Sequence, residues 1–250
     1  MARQSNNVQC RGPGCSSTAF IDAHIIPRTF AAFIRGDDPK VANVQLTLHS
    51  AKTAFPQLGD YDSGILCGVC DNVLGDLDGY AIEVVRAFPE AAVKSGRFYV
   101  MPDVDGDRLG KFFLSVIWRA SISSRRNFAE IDLGPYNDVV RDMIFAEAPL
   151  SSNTALQVAL ERLESIHLDP SKLFSIPRPS GLGGRNGFGF MIGGFRVFVK
   201  VDKRPLPGAQ INGVLGGKGV LRLFARTFEE TSEFDVTADM IVADHYRKKK

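Results

Sequence analysis

The sequence has no segment built to enter a membrane. No run approaches the roughly 18 consecutive apolar residues of a spanning helix, and the opening MARQSNNVQCRGPGC is polar, without the apolar core of a secretion signal. Net charge is also scarce: 30 Lys and Arg against 28 Asp and Glu leave +2, so no global field draws nucleic acid and any basic surface is local. There is no repeat of fixed period and no low-complexity segment. Cysteine and histidine are rare, at four each. These absences predict a globular, cytoplasmic protein with no membrane partner, in which cysteines at paired spacing are read as metal ligands before disulfides. What is present, 250 residues with 44% hydrophobic and 10% aromatic side chains, is enough for one or two domains with a sizeable core.

The cysteines come as two pairs, Cys10 and Cys15 with four residues between them and Cys67 and Cys70 with two. Neither pair alone closes a tetrahedral site, whereas four thiolates do, with no open coordination position and hence a structural zinc. Gly12, Pro13 and Gly14 suit a tight turn between the first two, and CGVC suits a second knuckle at the start of a helix. A helix N-terminus there would favour thiolate charge at Cys70.

The second pair lies in DYDSGILCGVCDNVLGDLDGYA, residues 60–81, which is crowded with aspartate. Leu74, Leu77, Ala81, Val84 and Val85 recur at helical spacing, predicting a helix over about 71–88 capped by Asp71 or Asn72. The aspartates suit turn and capping roles, or oxygen ligation of a hard cation. Asp76 and Asp78 read as the solvated side of the helix. Upstream, His24 in AHIIPRTF precedes two β-branched residues and Pro27, which predicts a strand entering a turn.

Taken together, CRGPGC, AHIIP and ILCGVCDN running into a helix resemble the HNH endonuclease family with an embedded zinc frame, over about residues 8–80. The resemblance implies a ββα-metal core joined to a four-cysteine treble clef, with His24 as the general base. Ala23 stands where many members carry a metal ligand, Asp62 replaces the central asparagine, and Asp71 replaces the helix histidine. Carboxylates at those positions would shift the cation preference toward Mg²⁺ or Mn²⁺. The implied catalytic set is therefore His24, Asp62 and Asp71, with Asp71 as a cation ligand and Asp22 a candidate to orient the His24 ring. The implied activity is metal-dependent DNA cleavage. The alternative is a zinc-stabilised DNA- or protein-binding module whose chemistry has been lost.

A nuclease of low net charge needs local phosphate contacts. Arg119, Arg125 and Arg126 in WRASISSRRNF, and Arg28 close to His24, are the candidates for DNA. His49, His167 and His245 read as surface or helix-end residues. The glycine-rich SGLGGRNGFGF lacks the lysine and following helix of a phosphate loop and reads as a flexible loop.

The remaining pattern predicts an α+β protein: an HNH-like zinc domain over 1–105, then a helical and antiparallel β region over 106–250. MPDVDGDRLG reads as a polar turn. Helices are predicted in KFFLSVIWRASISSRR, YNDVVRDMIFAEA and NTALQVALERLESI, a hairpin turning at Gly193 and Gly194, a strand near 220–225 and a terminal helix. The β region is the candidate for target specificity, a protein partner or a second copy of the chain.

Overall fold

The computed structural model describes residues 9–36, 44–46, 60–207 and 213–235, with 44–46 described by backbone alone. His49, His245, the basic tail and the expected terminal helix lie outside the described residues.

The chain runs β1 (Ala23–His24), α1 (Arg28–Arg35), β2 (Val44–Leu46), β3 (Tyr61–Asp62), α2 (Gly68–Ala91), β4 (Val93–Ser95), β5 (Phe98–Asp105) and α3 (Gly106–Ser121). It continues through α4 (Asn137–Phe145), β6 (Leu156–Glu164), β7 (Leu173–Ser175), β8 (Arg178–Leu182), β9 (Arg185–Ile192), β10 (Phe195–Val201) and β11 (Lys218–Thr227). The class is α+β. β1 and β3 make a small antiparallel pair, with Ala23 opposite Asp62 and His24 opposite Tyr61. The other nine strands form one mixed sheet in the order β2-β7-β9-β10-β6-β11-β5-β4, with β8 also on β9.

Helices α2 and α3 pack on each other and α3 lies against β6, β10 and β11, so the core sits between one face of the sheet and the helices. Phe88 of α2 meets Phe195 of β10 edge-on at 5.1 Å, and Phe30 of α1 stacks on Phe112 of α3 at 5.1 Å. Such aromatic pairs add about 0.5–1.5 kcal/mol each beyond the area they bury. The boundary expected after residue 105 falls between β5 and α3, and both the sheet and one continuous hydrophobic core run across it.

Four local expectations are corrected. MPDVDGDRLG is the end of β5 and the start of α3, because the Asp105 carboxylate accepts from the Arg108 amide at 3.0 Å and caps the helix. NTALQVALERLESI is not a helix but β6, a strand paired by β10 on one side and β11 on the other. Leu156, Val158 and Leu160 satisfy a two-residue period as well as Leu156, Ala159 and Leu160 satisfy a helical one, and two strand partners decide between them. His167 therefore follows a strand, where its amide is held by the Ser165 hydroxyl. The glycine-rich loop is a second hairpin, β8 to β9, turning at Gly183 and Gly184 with positive φ. The hairpin at Gly193 and Gly194 is present as expected; both have positive φ, and a Cβ on Gly193 would come within 2.8 Å of Val85.

Candidate functional site

The chain from Cys10 to Ile25 is laid along residues 60–67. Arg11 donates to the Ile65 carbonyl, Ile21 to Leu66 and Ile25 to Asp60, at 2.8–3.1 Å, and Phe20 bridges Cys67. This zipper brings the two cysteine pairs together. All four sulfurs lie within 4.8 Å of one another, and Cys15 and Cys67 are 3.7 Å apart. A tetrahedral ion with Zn–S of about 2.3 Å sets its sulfurs about 3.8 Å apart. The four thiols thus form a site that can hold a metal ion such as zinc. None is in a disulfide.

The backbone is shaped for thiolates. The Gly12 and Cys67 amides donate to Cys10 Sγ at 3.4 and 3.3 Å, and Cys15 N closes a turn on Gly12 O at 3.2 Å. Gly12 is obligatory here, because a Cβ would stand 2.3 Å from Cys70 Sγ. The thiolate expectation moves by one ligand. Cys67, not Cys70, is the N-cap of α2, and the Cys70 amide donating to its sulfur lowers Cys67 to about 6. Burial, then the neighbouring thiols, push Cys70 up, and burial raises Cys10. A cation bound to all four would overcome those burial costs by displacing the protons. Asp71 and Asn72 do not cap the helix; Cys67 stands at the N-cap.

His24 is half-buried on β1, and its ring lies 6.0 Å from that of Tyr61. Burial lowers its pKa below the ordinary 6.5, with Asp71 and Asp22 acting in the opposite sense and Arg119 and Arg28 reinforcing the shift. A lowered pKa favours the neutral ring. Asp22 and His24 interact only through space; no hydrogen bond orients the ring from Asp22.

Three further aspartates, Asp62, Asp71 and Asp78, differ in what engages them. Asp62 is buried, and its carboxylate accepts from Gly64 N on one oxygen and from Ser123 Oγ, Ser124 N and Ser124 Oγ on the other, at 2.8–3.0 Å. Burial opposes ionisation, but those donors outweigh it and hold the acid below its usual range. Asp62 is therefore a brace between β3 and the loop after α3, withdrawn from the catalytic set. Asp78, expected on the solvated side of α2, forms a bidentate pair with Arg119 at 2.8 and 3.0 Å. Asp71, in the first turn of α2, is half-buried and no described residue donates a hydrogen bond to its carboxylate. Burial raises its pKa, Arg119 and His24 lower it, and Asp78 raises it.

Arg119 is 1% exposed. Besides Asp78 it donates to the His24 carbonyl at 2.9 Å, to Ser115 Oγ at 3.0 Å and to the Ser115 carbonyl at 3.3 Å. A guanidinium so enclosed has no donor left for DNA, so Arg119 leaves the phosphate-binding set and becomes a positioning residue for β1. Helical spacing already carried this signal, since Arg119 lies seven residues after Phe112 and four after Ser115, on the buried stripe. The remaining arginines are exposed. Arg125 donates to the Tyr61 carbonyl at 2.8 Å and lies 4.9 Å from the Tyr61 ring, Arg28 opens α1, and Arg126 opens a short 3₁₀ turn. His24 and Asp71 are thus brought together with Arg28 and Arg125 nearby, while Asp62 and Arg119 serve the scaffold. Tyr61 and Asp78 were missed by sequence reasoning.

Among the described residues, the four cysteines are the only group of three or more potential ligands close enough to share an ion. No described helix is long and apolar enough to cross a membrane. No protein-family model matches the chain, and comparison with curated proteins and with solved structures finds no match.

Proposed function

We propose that this protein is a metal-dependent endonuclease of the HNH type that hydrolyses DNA phosphodiester bonds, acting in the cytoplasm. The observation that carries the reading is His24, its pKa lowered by burial, close to the Asp71 carboxylate, to which no described residue donates, where two short strands meet a helix opened by a four-cysteine knuckle. Its zinc frame is a treble clef: Cys10 and Cys15 on one knuckle, Cys67 and Cys70 on the turn that starts α2.

In this reading zinc is structural, because four thiolates leave no position for water or phosphate. Asp71 would hold the second cation, Mg²⁺ or Mn²⁺, since a half-buried carboxylate without donors presents hard oxygen. When bound, that cation neutralises charge on the phosphate and its leaving oxygen. His24 accepts a proton from water as it attacks phosphorus, and its lowered pKa keeps the acceptor nitrogen free at neutral pH. Arg28 and Arg125 hold flanking phosphates, with Arg125 aimed by Tyr61. Arg126 extends that basic edge.

A second reading, a zinc-stabilised recognition module without chemistry, is favoured by the engagement of Asp62 and Asp78, which leaves few carboxylates near His24 to hold a cation among the described residues. The two separate on supercoiled plasmid incubated with Mg²⁺, Mn²⁺ or no added cation. Nicking that requires both cation and His24 supports the enzyme. Intact plasmid under every condition, with a gel shift retained and lost on Arg125→Glu, supports the module.

A further inference from the structure

The face of the large sheet turned away from α2 and α3 carries a pattern that the nuclease reading does not use. Along β11, Leu221 and Leu223 point into the core, so Arg222, Phe224 and Arg226 stand on the opposite face. Phe224 pairs with Phe98 of β5, their rings edge-to-face at 5.7 Å. Arg222 lies over Phe98 at 4.2 Å, and Arg97 over Phe224 at 4.9 Å. Both arginines are exposed. Each presents a flat guanidinium plane held on an aromatic support.

Next to these stacks the sheet dips into a concavity of about 240 Å³, lined in part by Phe198, Phe224, Arg196 and Arg226. Glu161 pairs with Arg226 at 2.7 Å and with Arg196 at 3.2 Å. Glu233 lies 3.3 Å from Arg196 and 3.7 Å from Arg178. These ion pairs fix the arginines' directions. Among the described residues of this face, five arginines, Arg97, Arg178, Arg196, Arg222 and Arg226, outnumber the glutamates that reach them, which are Glu161, Glu233 and, through space, Glu230. A basic surface with flat stacking planes and a base-sized hollow complements a polyanion with unstacked rings.

We propose that this face binds single-stranded nucleic acid, with phosphates on Arg97, Arg222 and Arg226 and bases stacked on the guanidinium and phenyl planes. A duplex offers the face only phosphates, and an acidic polypeptide offers no rings to stack. The surface is separate from His24 and needs no cleavage chemistry. It can therefore stand if the endonuclease reading fails.

The test is fluorescence anisotropy of labelled oligothymidine, its duplex with oligoadenosine, and labelled polyglutamate against the full chain, without added Mg²⁺ or Mn²⁺. The single strand is expected to bind tightest and to weaken steeply with salt. Arg97→Glu combined with Arg222→Glu is expected to weaken single-strand binding about tenfold or more, while the thermal transition stays at the wild-type position. Arg222→Lys keeps charge but removes the plane, so it should cost the single strand severalfold and the duplex nothing. His24→Ala should leave oligothymidine binding as it was. Unchanged single-strand affinity in the folded double variant overturns the site. Equal losses for duplex or polyglutamate overturn the stacking mode and reduce the face to an anion patch.

Discussion

The four-cysteine frame and the histidine corner are adjacent, share β3 and α2, and were assembled by opposite means. At the frame, every ligand is the residue that the spacing pointed to, and the backbone is bent so that amides face sulfur. At the corner, four candidates resolve into two that interact through space, His24 and Asp71, and two that are hydrogen-bonded into the scaffold, Asp62 and Arg119. Cysteine at knuckle spacing has few alternative uses in a chain of this kind, whereas aspartate and arginine serve caps, braces and buried pairs as readily as catalysis. Residue type is a sharp guide only where the chemistry has few competitors.

The widest break between the two regions is expected on metal removal. Structural zinc contributes apparent folding energy on the order of 10 kcal/mol in small zinc domains, so a strong chelator, or Cys67→Ser, should abolish the cooperative thermal transition of the N-terminal part. Circular dichroism with metal analysis reads this, and a fully folded, zinc-free protein would refute the frame. Next is Arg119→Met, which leaves Asp78 unpaired against the core and should lower unfolding free energy by about 3–5 kcal/mol. Denaturant titration measures that loss, and plasmid nicking should fall with it because the His24 carbonyl is released.

The sharpest contrast lies between two aspartates. Asp62→Asn weakens the acceptor of three serine-loop donors and should cost about 1–3 kcal/mol of stability while leaving the cation dependence of nicking unchanged. Asp71→Asn should do the reverse, removing cation-dependent nicking at nearly constant stability. Matched melting curves and Mn²⁺ titrations decide it; identical behaviour would erase the distinction.

The smallest effect is on pH. The folded His24 pKa lies below 6.5, so as pH falls under 6.5 the unfolded chain takes up a proton that the folded one refuses, and stability declines down to the folded pKa. His24→Gln should flatten that slope in denaturant titrations run over that interval. The acidic limb of nicking should likewise have its midpoint below 6.5.

Much of the fold was legible. The long α2, the apolar α3, and the hairpin at Gly193 and Gly194 follow from periodicity and turn residues. The misreading of β6 has a physical cause, since Ala159 beside Leu160 gives the segment a helical period as well as a strand one, and the partners β10 and β11 that decide between them lie far along the chain. At the site, the four cysteines and the His24–Asp71 proximity were within reach of spacing and resemblance. Asp62 was not, because its partners Ser123 and Ser124 lie about sixty residues downstream and nothing local announces them. Arg119 was legible by period but was assigned by type, as a phosphate binder.

The Arg119 tie bears on modularity. A side chain from the downstream region holds the main chain of the residue proposed to do the chemistry, and does so from inside the shared core. The four-cysteine knuckle with its histidine is therefore not a self-sufficient cassette: moved alone into another protein, residues 1–105 would arrive without the Arg119 clasp on β1.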